Sequence, residues 1–401
     1  MNKNLVFIIG LFILPLPGMG VDAYAPSLPA VTAYFHTTSF LTQLSIPFYT
    51  AGYAISMLFS GTIVDIYGTK KLTIASLIIF ALLAILIVFV PNIHMLIVLR
   101  VAQGLSVGFF AVSVRVATMS LYAHDKELLK SKVNIMQIAW SMGPILAPAI
   151  GGYLGHHFGW KSSFLLMAGY ALTLAIVTAI FTKETIKKRK TVNFIEIKNS
   201  YTTILGDKFF LLGVATMGTL YAVAVSFNTV GSYIIQNTLH LSQISFGYCA
   251  LVLGIAWLFG SLVNKAIKSY SFEEKAIGAA VAIVIISAVM FGITRFVINI
   301  WVLMGTTVLL NIFAGVLYSG LYCLTIARFS HIPGNSSGLM SSGILFVCAI
   351  ITTTMSKVVS HNGVLPFLDA DMLLNIAGVI IAAVLFYLQA KTLQRKYFAR
   401  G

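Results

Sequence analysis

Long apolar stretches separated by short polar breaks dominate the pattern of hydrophobic and polar positions along the chain. Each stretch approaches the roughly 20 residues that a helix needs to cross the hydrocarbon core of a bilayer. Helices are expected rather than strands, because isolated strands leave backbone groups unpaired in lipid. The pattern predicts twelve spans, at 5–26, 42–65, 72–90, 94–121, 133–155, 162–182, 209–233, 244–264, 276–294, 299–327, 336–359 and 371–390.

The longest polar interval, 182–208, separates the sixth predicted span from the seventh. It predicts an N-terminal six-helix bundle over 1–182, a cytoplasmic linker over 183–208 and a C-terminal six-helix bundle over 209–401. A faint internal echo supports two related halves, since "GTIVDIYGTKK" after the second span matches "GSLVNKAIKSY" after the eighth. The expected fold class is therefore an all-α polytopic membrane protein with two pseudo-symmetric bundles.

Composition agrees with this prediction and excludes a soluble globular protein. The chain is 59% hydrophobic and only 9% charged, with a mean hydropathy of +0.94. A secretory signal peptide is an alternative for the beginning, with Lys3, an apolar run and Ala23–Ala25 as cleavage site. A first membrane helix is favoured instead, because Pro26 directly follows the candidate cleavage site and eleven further spans follow in the chain.

The basic residues predict the orientation. With a cytoplasmic N-terminus, most of the 26 Lys and Arg fall in cytoplasmic segments, whereas Lys161, Arg295 and Lys357 fall near the outer side. The positive-inside rule therefore places both termini in the cytoplasm, and a bacterial inner membrane is expected. The net charge of +15 reflects helix ends that face an anionic leaflet, so we expect no nucleic-acid partner.

No pattern of catalytic or metal-binding residues occurs in the chain. The three cysteines lie in apolar spans without metal-ligand spacing. Metalloprotease, nucleophile-elbow and ATP-binding loop motifs are also missing. We expect no enzyme activity, catalytic residue, metal or cofactor, and a protein that acts as a monomer in the lipid bilayer.

Asp22 is the feature that most strongly points to function. Of eleven acidic residues it is the one that falls well within a predicted span, since the others, including Asp369 and Asp371, fall in loops or at span ends. A charge inside a membrane is costly and by default functional. Pro26 follows Asp22, so the first span is expected to be kinked and hydrated there.

Two arginines fall inside the fourth predicted span. Arg100 is expected at about the depth of Asp22, which permits either a switchable pair involved in proton coupling or a static ion pair. Arg115 lies near the cytoplasmic end, where it either snorkels to water or contributes to an inner gate.

Several motifs resemble those of the major facilitator superfamily. "GTIVDIYGTKKL" is similar to the loop signature of that family, and "LRVAQGLSVG" is similar to its fourth-span signature through Arg100, Gln103 and Gly104. "SMGPILAPAIGGYL" resembles the antiporter signature of the fifth span. "VDAYAPSLPAV" resembles the first span of drug:proton antiporters, particularly the Bcr/CflA-like multidrug exporters.

The resemblance implies roles for residues outside the proton-coupling pair of Asp22 and Arg100. Gating and conformational roles are expected for Gly61, Asp65, Gly68, Lys70, Lys71, Arg115, Gly143, Pro144, Gly151 and Gly152. Small residues at steps of four in the fifth span are also typical of close helix packing alone. Candidate pocket residues are Tyr24, Gln103, Met136, Gln137, Trp140, Tyr221 and Asn228.

Together with the two six-span halves, the resemblance implies a secondary transporter that exports small organic molecules, such as drugs or related amphiphiles, in exchange for protons by alternating access. An alternative cargo is an endogenous anionic metabolite such as a siderophore, because two embedded arginines accompany one aspartate. A membrane receptor or sensor is the alternative outside transport.

Overall fold

A computed structural model describes residues 3–185, 194–267, 269–297, 299–329, 333–362 and 364–398. These residues form helices joined by short turns, with no strands among them. The basic run at 187–190 of the predicted linker lies outside the described residues, whereas part of the same interval forms α9.

The helices of the first half begin at Lys3. They are α1 (Lys3–Ile13), α2 (Leu16–Asp22), α3 (Leu28–Tyr34), α4 (Ser39–Tyr67), α5 (Thr69–Val88), α6 (Ile93–Tyr122), α7 (Lys126–Phe158) and α8 (Lys161–Phe181). The remaining helices are α9 (Phe194–Leu205), α10 (Lys208–Tyr233), α11 (Gln243–Ala266), α12 (Phe272–Thr294), α13 (Ile300–Ala327), α14 (Pro333–Asn362) and α15 (Val364–Phe398).

The predicted all-α membrane fold is confirmed. Within the described residues, 11 helical segments are long and apolar enough to cross a membrane, and α1 to α3 together count as one of them, Lys3–Tyr34. The predicted span 42–65 corresponds to α4, a helix of 29 residues that carries more Ser, Thr and Tyr than the other spans. α4 is therefore long enough to cross a membrane, although its polar residues keep it out of the 11 most apolar segments.

The chain forms two compact units. The first contains Met1–Phe194 and Asn228–Leu251, and the second contains Ile195–Phe227 and Val252–Gly401. The end of α10 and the beginning of α11 thus pack with the first six spans. The bundle boundaries drawn from the sequence remain a prediction.

In the first unit, α4 and α6 pack with their backbones close together. A Cβ on Gly104 would meet the carbonyl oxygen of Tyr49, and the Gly108 N–H donates to Ser56 Oγ at 3.1 Å. Glycine is required at this crossing, because any side chain would displace the neighbouring backbone.

The second unit repeats several of these features. Ser261 Oγ of α11 donates to the carbonyl oxygen of Gly315 on α13 at 3.3 Å, so a serine again meets a glycine across two helices. Asn92 caps α6 and Asn299 caps α13, each accepting a hydrogen bond from the third residue of its helix. These matches support the two related halves inferred from the internal echo.

Candidate functional site

The first span is interrupted on both sides of its central segment. α2 follows Pro15, and a 3₁₀ turn over Ala25–Ser27 separates it from α3. Proline has no N–H with which to close a helical hydrogen bond, so each break leaves backbone carbonyls for other partners. The predicted kink beside Asp22 is confirmed as a break in the helix directly after that residue.

Side chains from other helices take up carbonyl oxygens of this broken span. Tyr49 Oη donates to the Pro17 oxygen at 3.0 Å, and Gln236 Nε2 donates to the Pro26 oxygen at 2.8 Å. Backbone groups that water would otherwise satisfy are thereby held by protein. The unwound segment around Asp22 is thus fixed in place.

Asp22 lies at the end of α2 and is 2% exposed. Its Oδ1 accepts a hydrogen bond from Asn228 Nδ2 of α10 at 2.8 Å. Asn228 is a predicted pocket residue, and the structure brings it onto the predicted proton site. The contact ties the first span to the part of α10 that packs in the same unit.

Arg100 on α6 is completely buried, and the backbone and an amide hold its guanidinium group. Nε donates to the Ser45 oxygen at 3.3 Å, Nη1 to Gln103 Oε1 at 2.8 Å and Nη2 to the Gly20 oxygen at 2.6 Å. The Tyr49 ring centroid lies 4.1 Å from the guanidinium carbon, which adds a cation–π contact.

The direct ion pair that the sequence permits between Asp22 and Arg100 is not formed. No hydrogen bond or ion pair joins these two described side chains, although their charges act on each other. Arg100 instead binds the carbonyl of Gly20, two residues before Asp22. The last turn of α2, directly before the helix break, supplies this acceptor, which a sequence pattern does not reveal.

Several buried polar atoms around these groups have no hydrogen-bond partner within the described residues. They include Tyr24 Oη, Ser27 Oγ, Gln103 Nε2 and both amide atoms of Gln43. Buried polar groups are normally satisfied, so these atoms are available to bond water or a polar ligand group. The donors and acceptors lie on the first, second and fourth spans.

The other predicted pocket residues have varied environments. On α7, Met136 is buried, Gln137 is exposed, and Trp140 is half-buried with an indole N–H that has no partner among the described residues. Tyr221 belongs to the second unit and is half-buried.

The small residues of α7 allow the first span to approach closely. A Cβ on Gly143 would meet the Pro15 oxygen, and one on Gly151 would meet the Ala23 oxygen. Pro144 packs against Gly18 of α2. One stripe of α7 therefore lies directly against the interrupted span that carries Asp22.

Gly152 lies on an adjoining stripe of α7 and faces α11. A Cβ there would come within 2.7 Å of the Gln243 oxygen. The glycines of the antiporter signature therefore face two different neighbours of α7. Gly143 and Gly151 allow close contact with the first span, and Gly152 allows close contact with α11.

The loop after α4 is organised by a residue that the sequence did not single out. Gly68 has a φ of +88°, which only glycine adopts without strain, and α5 starts immediately after it. Glu184 Oε1 accepts from the Thr69 N–H at 2.9 Å and Oε2 from the Lys70 N–H at 3.1 Å. Glu184 thus caps α5, but its position in a long polar interval gave no periodic pattern to identify it.

Among the predicted gating residues, Lys70 makes the most specific contacts. Its Nζ donates to the Ala179 and Thr182 oxygens at the end of α8, at 2.8 and 2.7 Å. Lys70 thereby links the start of α5 to the end of α8. Lys71 is exposed, Asp65 is half-buried, and nothing lies within 4 Å of a Cβ built on Gly61.

Arg115 lies on the same helix as Arg100 but in a different environment. It is half-buried, whereas Arg100 is inaccessible. The two arginines of the fourth span are therefore not equivalent.

The expectation that only Asp22 is embedded is wrong. Asp371 belongs to α15, which begins at Val364 rather than at the predicted 371, and it is 6% exposed. The apolar pattern placed the start of this span too late because "LPFLDADMLL" mixes acidic and apolar residues. The second unit therefore contains a buried carboxylate as well.

These helices and buried polar groups define a polytopic membrane protein with an internal polar site, the arrangement typical of a secondary transporter. The family model described as Major Facilitator Superfamily matches residues 11–353. The chain belongs to the Major Facilitator Superfamily. It is accordingly a membrane transporter for small molecules and not an enzyme.

Curated relatives match over most of the chain at low identity. The bicyclomycin resistance protein homolog of Haemophilus influenzae is 24% identical, over 96% of this chain and 96% of its own. The multidrug resistance protein MdtM of Escherichia coli strain K12 is 23% identical, over 92% of this chain and 89% of its own.

Solved structures agree on the fold. A POT family transporter in complex with 5-aminolevulinic acid has a TM-score of 0.75 at 14% identity, covering 97% of this chain and 96% of its own. A D-xylose-proton symporter has a TM-score of 0.74 at 12% identity, covering 95% and 97%.

Proposed function

We propose that this transporter exports small organic molecules, such as drugs or related amphiphiles, in exchange for protons. The observation that carries the proposal is the buried Asp22, whose carboxylate has, within the described residues, one neutral hydrogen-bond donor, Asn228, and no direct cation. A carboxylate in that setting is costly while charged, so proton binding changes the local energy substantially.

Proton binding at Asp22 changes its contact with Asn228. The charged carboxylate accepts the amide N–H strongly, whereas the neutral acid accepts it more weakly. The first span and the adjoining part of α10 are therefore joined most firmly when Asp22 is charged. Loss of the charge loosens this link and favours rearrangement, which is the step that alternating access requires.

Arg100 supplies a fixed positive charge beside this switch. Its guanidinium is held by Ser45, Gln103 and Gly20 and does not need Asp22 as a partner. It therefore stays in place when Asp22 takes up a proton. Cargo and proton compete for the same polar region, in which Asn228 bonds Asp22, Gln103 bonds Arg100 and the Tyr24 ring centroid lies 5.7 Å from the Arg100 guanidinium carbon.

The remaining predicted residues have supporting roles in this proposal. Met136, Gln137, Trp140 and Tyr221 contribute to cargo binding. Gly143, Pro144, Gly151 and Gly152 let α7 move against its neighbours without opening a leak. Gly61, Asp65, Gly68, Lys70, Lys71 and Arg115 stabilise one closed state at the predicted cytoplasmic side.

Drugs are favoured as cargo by the names of relatives that match nearly the whole chain, which refer to bicyclomycin and multidrug resistance. An anionic metabolite such as a siderophore is the alternative cargo. Three of the five guanidinium N–H groups of Arg100 already bond protein acceptors, which leaves two for such an anion. The proposed setting is a bacterial inner membrane, with a monomer and both termini in the cytoplasm, consistent with bacterial relatives.

The test is proton movement in proteoliposomes that contain a pH-sensitive dye. Lipophilic cations, neutral antibiotics and carboxylate-rich siderophores are added in turn to wild-type protein and to Asp22→Asn. We expect at least one compound to drive proton movement in the wild type, and Asp22→Asn to reduce it to the level of empty vesicles.

Glu127→Gln is the matched control, because it neutralises an exposed carboxylate in the first turn of α7. It should leave proton movement intact. Undiminished proton movement in Asp22→Asn would overturn the assignment of Asp22, and a response confined to siderophores would replace drugs as the cargo.

A further inference from the structure

The carboxylate of Asp371 has no part in the mechanism proposed for Asp22. It lies on α15 about two turns after Val364, at about 3.6 residues per turn, inside the membrane-spanning segment Leu365–Tyr387. An acidic side chain that is 6% exposed at such a position needs a partner, a proton or water.

The nearest acidic neighbour on the same helix takes the available cation. Asp369 binds Arg295 Nη2 through both carboxylate oxygens, at 2.6 and 2.7 Å. Residues two apart on a helix point to different sides, so the Asp371 side chain does not point towards Arg295 together with Asp369. Arg295 is thus committed to Asp369, and within the described residues Asp371 forms no ion pair.

Among the described residues, one side chain bonds Asp371, and it does so weakly. Asn375 Nδ2 lies 3.4 Å from Asp371 Oδ2 and 3.0 Å from the Asp371 main-chain oxygen, so its amide favours the backbone. A charged carboxylate normally collects several strong donors when buried. This environment therefore suits a neutral acid better than a charged one.

Polar groups continue inward from Asp371. Asn375 is buried one turn further along α15, and Ser287 of the adjacent α12 has a buried hydroxyl without a partner in the described chain. Arg295 and Asp369 fix the register of these two helices. At about 1.5 Å per residue, Ser287 lies near the depth of Asn375.

No other described charge on the helices around α15 forms an ion pair with Asp371. Among the described side chains, α12 carries Glu273, Glu274 and Lys275 in its first turn and Arg295 at its end, α14 carries the exposed Lys357, and α10 begins with Lys208. Arg295 marks the depth of Asp369 in the membrane. The first turn of α12 and the start of α10 lie far from that depth along their helix axes.

We propose that Asp371 is a second proton-binding site of this transporter, located in its second unit. The inference rests on the proposed proton-coupled function and extends it from one embedded carboxylate to two. The proton enters from the end of α15 marked by Asp369 and resides on the Asp371 carboxylate, beside Asn375.

Infrared difference spectroscopy on the purified full-length protein tests this directly. Stepping the pH should produce a carbonyl band of a protonated carboxylic acid, and one component of it should disappear in Asp371→Asn. Asp369→Asn is the matched control, because it removes a carboxylate two residues away that is paired and more exposed. Loss of the component in the control but not in Asp371→Asn would overturn the proposal.

A second variant keeps the test decisive if Asp371→Asn fails to fold. Asp371→Glu retains the acid, and labelling all aspartates with ¹³C at the carboxyl shifts their bands but not those of glutamate. The component should shift on labelling in the wild type and stay unshifted in labelled Asp371→Glu. A component that shifts in both proteins, or responds to sodium rather than pH, would contradict proton binding at Asp371.

Failure of this inference is distinguishable from failure of the proposed function. Proton movement that depends on Asp22 with an unchanged infrared spectrum in Asp371→Asn would leave a single coupling site. If the infrared component depends on Asp371 and cargo-driven proton movement is unchanged in Asp22→Asn, Asp371 is the coupling site instead.

Discussion

Arg100 is positioned by the protein around it rather than by a counter-ion. Three different acceptors use three different nitrogens of its guanidinium, and the Tyr49 ring covers one face. This geometry uses the planar fork of arginine, which the compact ammonium of lysine does not reproduce. The positive charge beside Asp22 is therefore constant during any change in the protonation of Asp22.

Arg100→Lys should consequently reduce both stability and transport while preserving charge. Each charge-assisted hydrogen bond that lysine cannot replace is worth about 1.5–3 kcal/mol. We expect a lower apparent melting temperature in detergent and slower cargo-driven proton movement. Arg115→Lys, on the same helix but half-buried, keeps the positive charge that its proposed gating role requires, so it should change neither by much. Equal behaviour of the two variants would contradict the positioning role of the fork.

Sequence identified some functional residues and missed others for understandable reasons. Asp22 and Arg100 stand out because charges are rare within apolar runs. The amide of Asn228 was one of several plausible pocket residues, and only the fold showed that it bonds Asp22. Asp371 and Glu184 lie where helix ends are hard to place, so their burial and capping contacts depend on tertiary structure.

At the scale of elements, the glycines of α7 bring this helix into close contact with the interrupted first span that carries Asp22. The carbonyls of Pro15 and Ala23 occupy the space where side chains at Gly143 and Gly151 would lie. Backbone atoms cannot rotate away as side chains can. The spacing of these helices therefore depends on the absence of two Cβ atoms.

Gly151→Ala should separate α7 from the first span. Overpacking of this kind costs about 1–3 kcal/mol, and we expect a lower apparent melting temperature together with impaired transport. Gly169→Ala on α8 is the matched control, since nothing lies within 4 Å of its Cβ and alanine favours helix by about 1 kcal/mol. A Gly151→Ala protein as stable and active as the control would show that this contact is not limiting.

Helix boundaries followed the apolar pattern closely where the spans have clear polar breaks. Predicted 94–121 and 162–182 correspond to α6 (Ile93–Tyr122) and α8 (Lys161–Phe181). The sequence predicts that the first span ends at 26, but helix resumes at Leu28 and reaches Tyr34. Side chains of other helices bond its free carbonyls and so compensate for the breaks. Local sequence does not show these contacts.

At the scale of the whole molecule, repetition along the chain is the property that sequence and structure share. Asp65 and Asn264 of the internal echo each lie two residues before the end of a long helix, α4 and α11. The helix caps and serine–glycine contacts extend this correspondence. The membrane orientation, in contrast, follows from charge distribution alone and stays a prediction.

Cysteine labelling in whole cells checks the orientation. After replacement of the native Cys249, Cys323 and Cys348 by serine, single cysteines are introduced as His94→Cys and Lys71→Cys, both at exposed positions. An impermeant maleimide should label the former in intact cells and the latter only after permeabilisation. The reverse pattern would invert the topology and with it the proposed direction of proton entry.

The most direct test of the account is proton release from the purified protein when cargo binds, recorded in weakly buffered detergent solution with a pH dye. If cargo and proton compete at Asp22, the wild type and Glu127→Gln will release protons on addition of a transported compound, and Asp22→Asn will bind the compound with little or no release. Equal proton release from Asp22→Asn and the wild type would contradict the central claim that Asp22 couples the two.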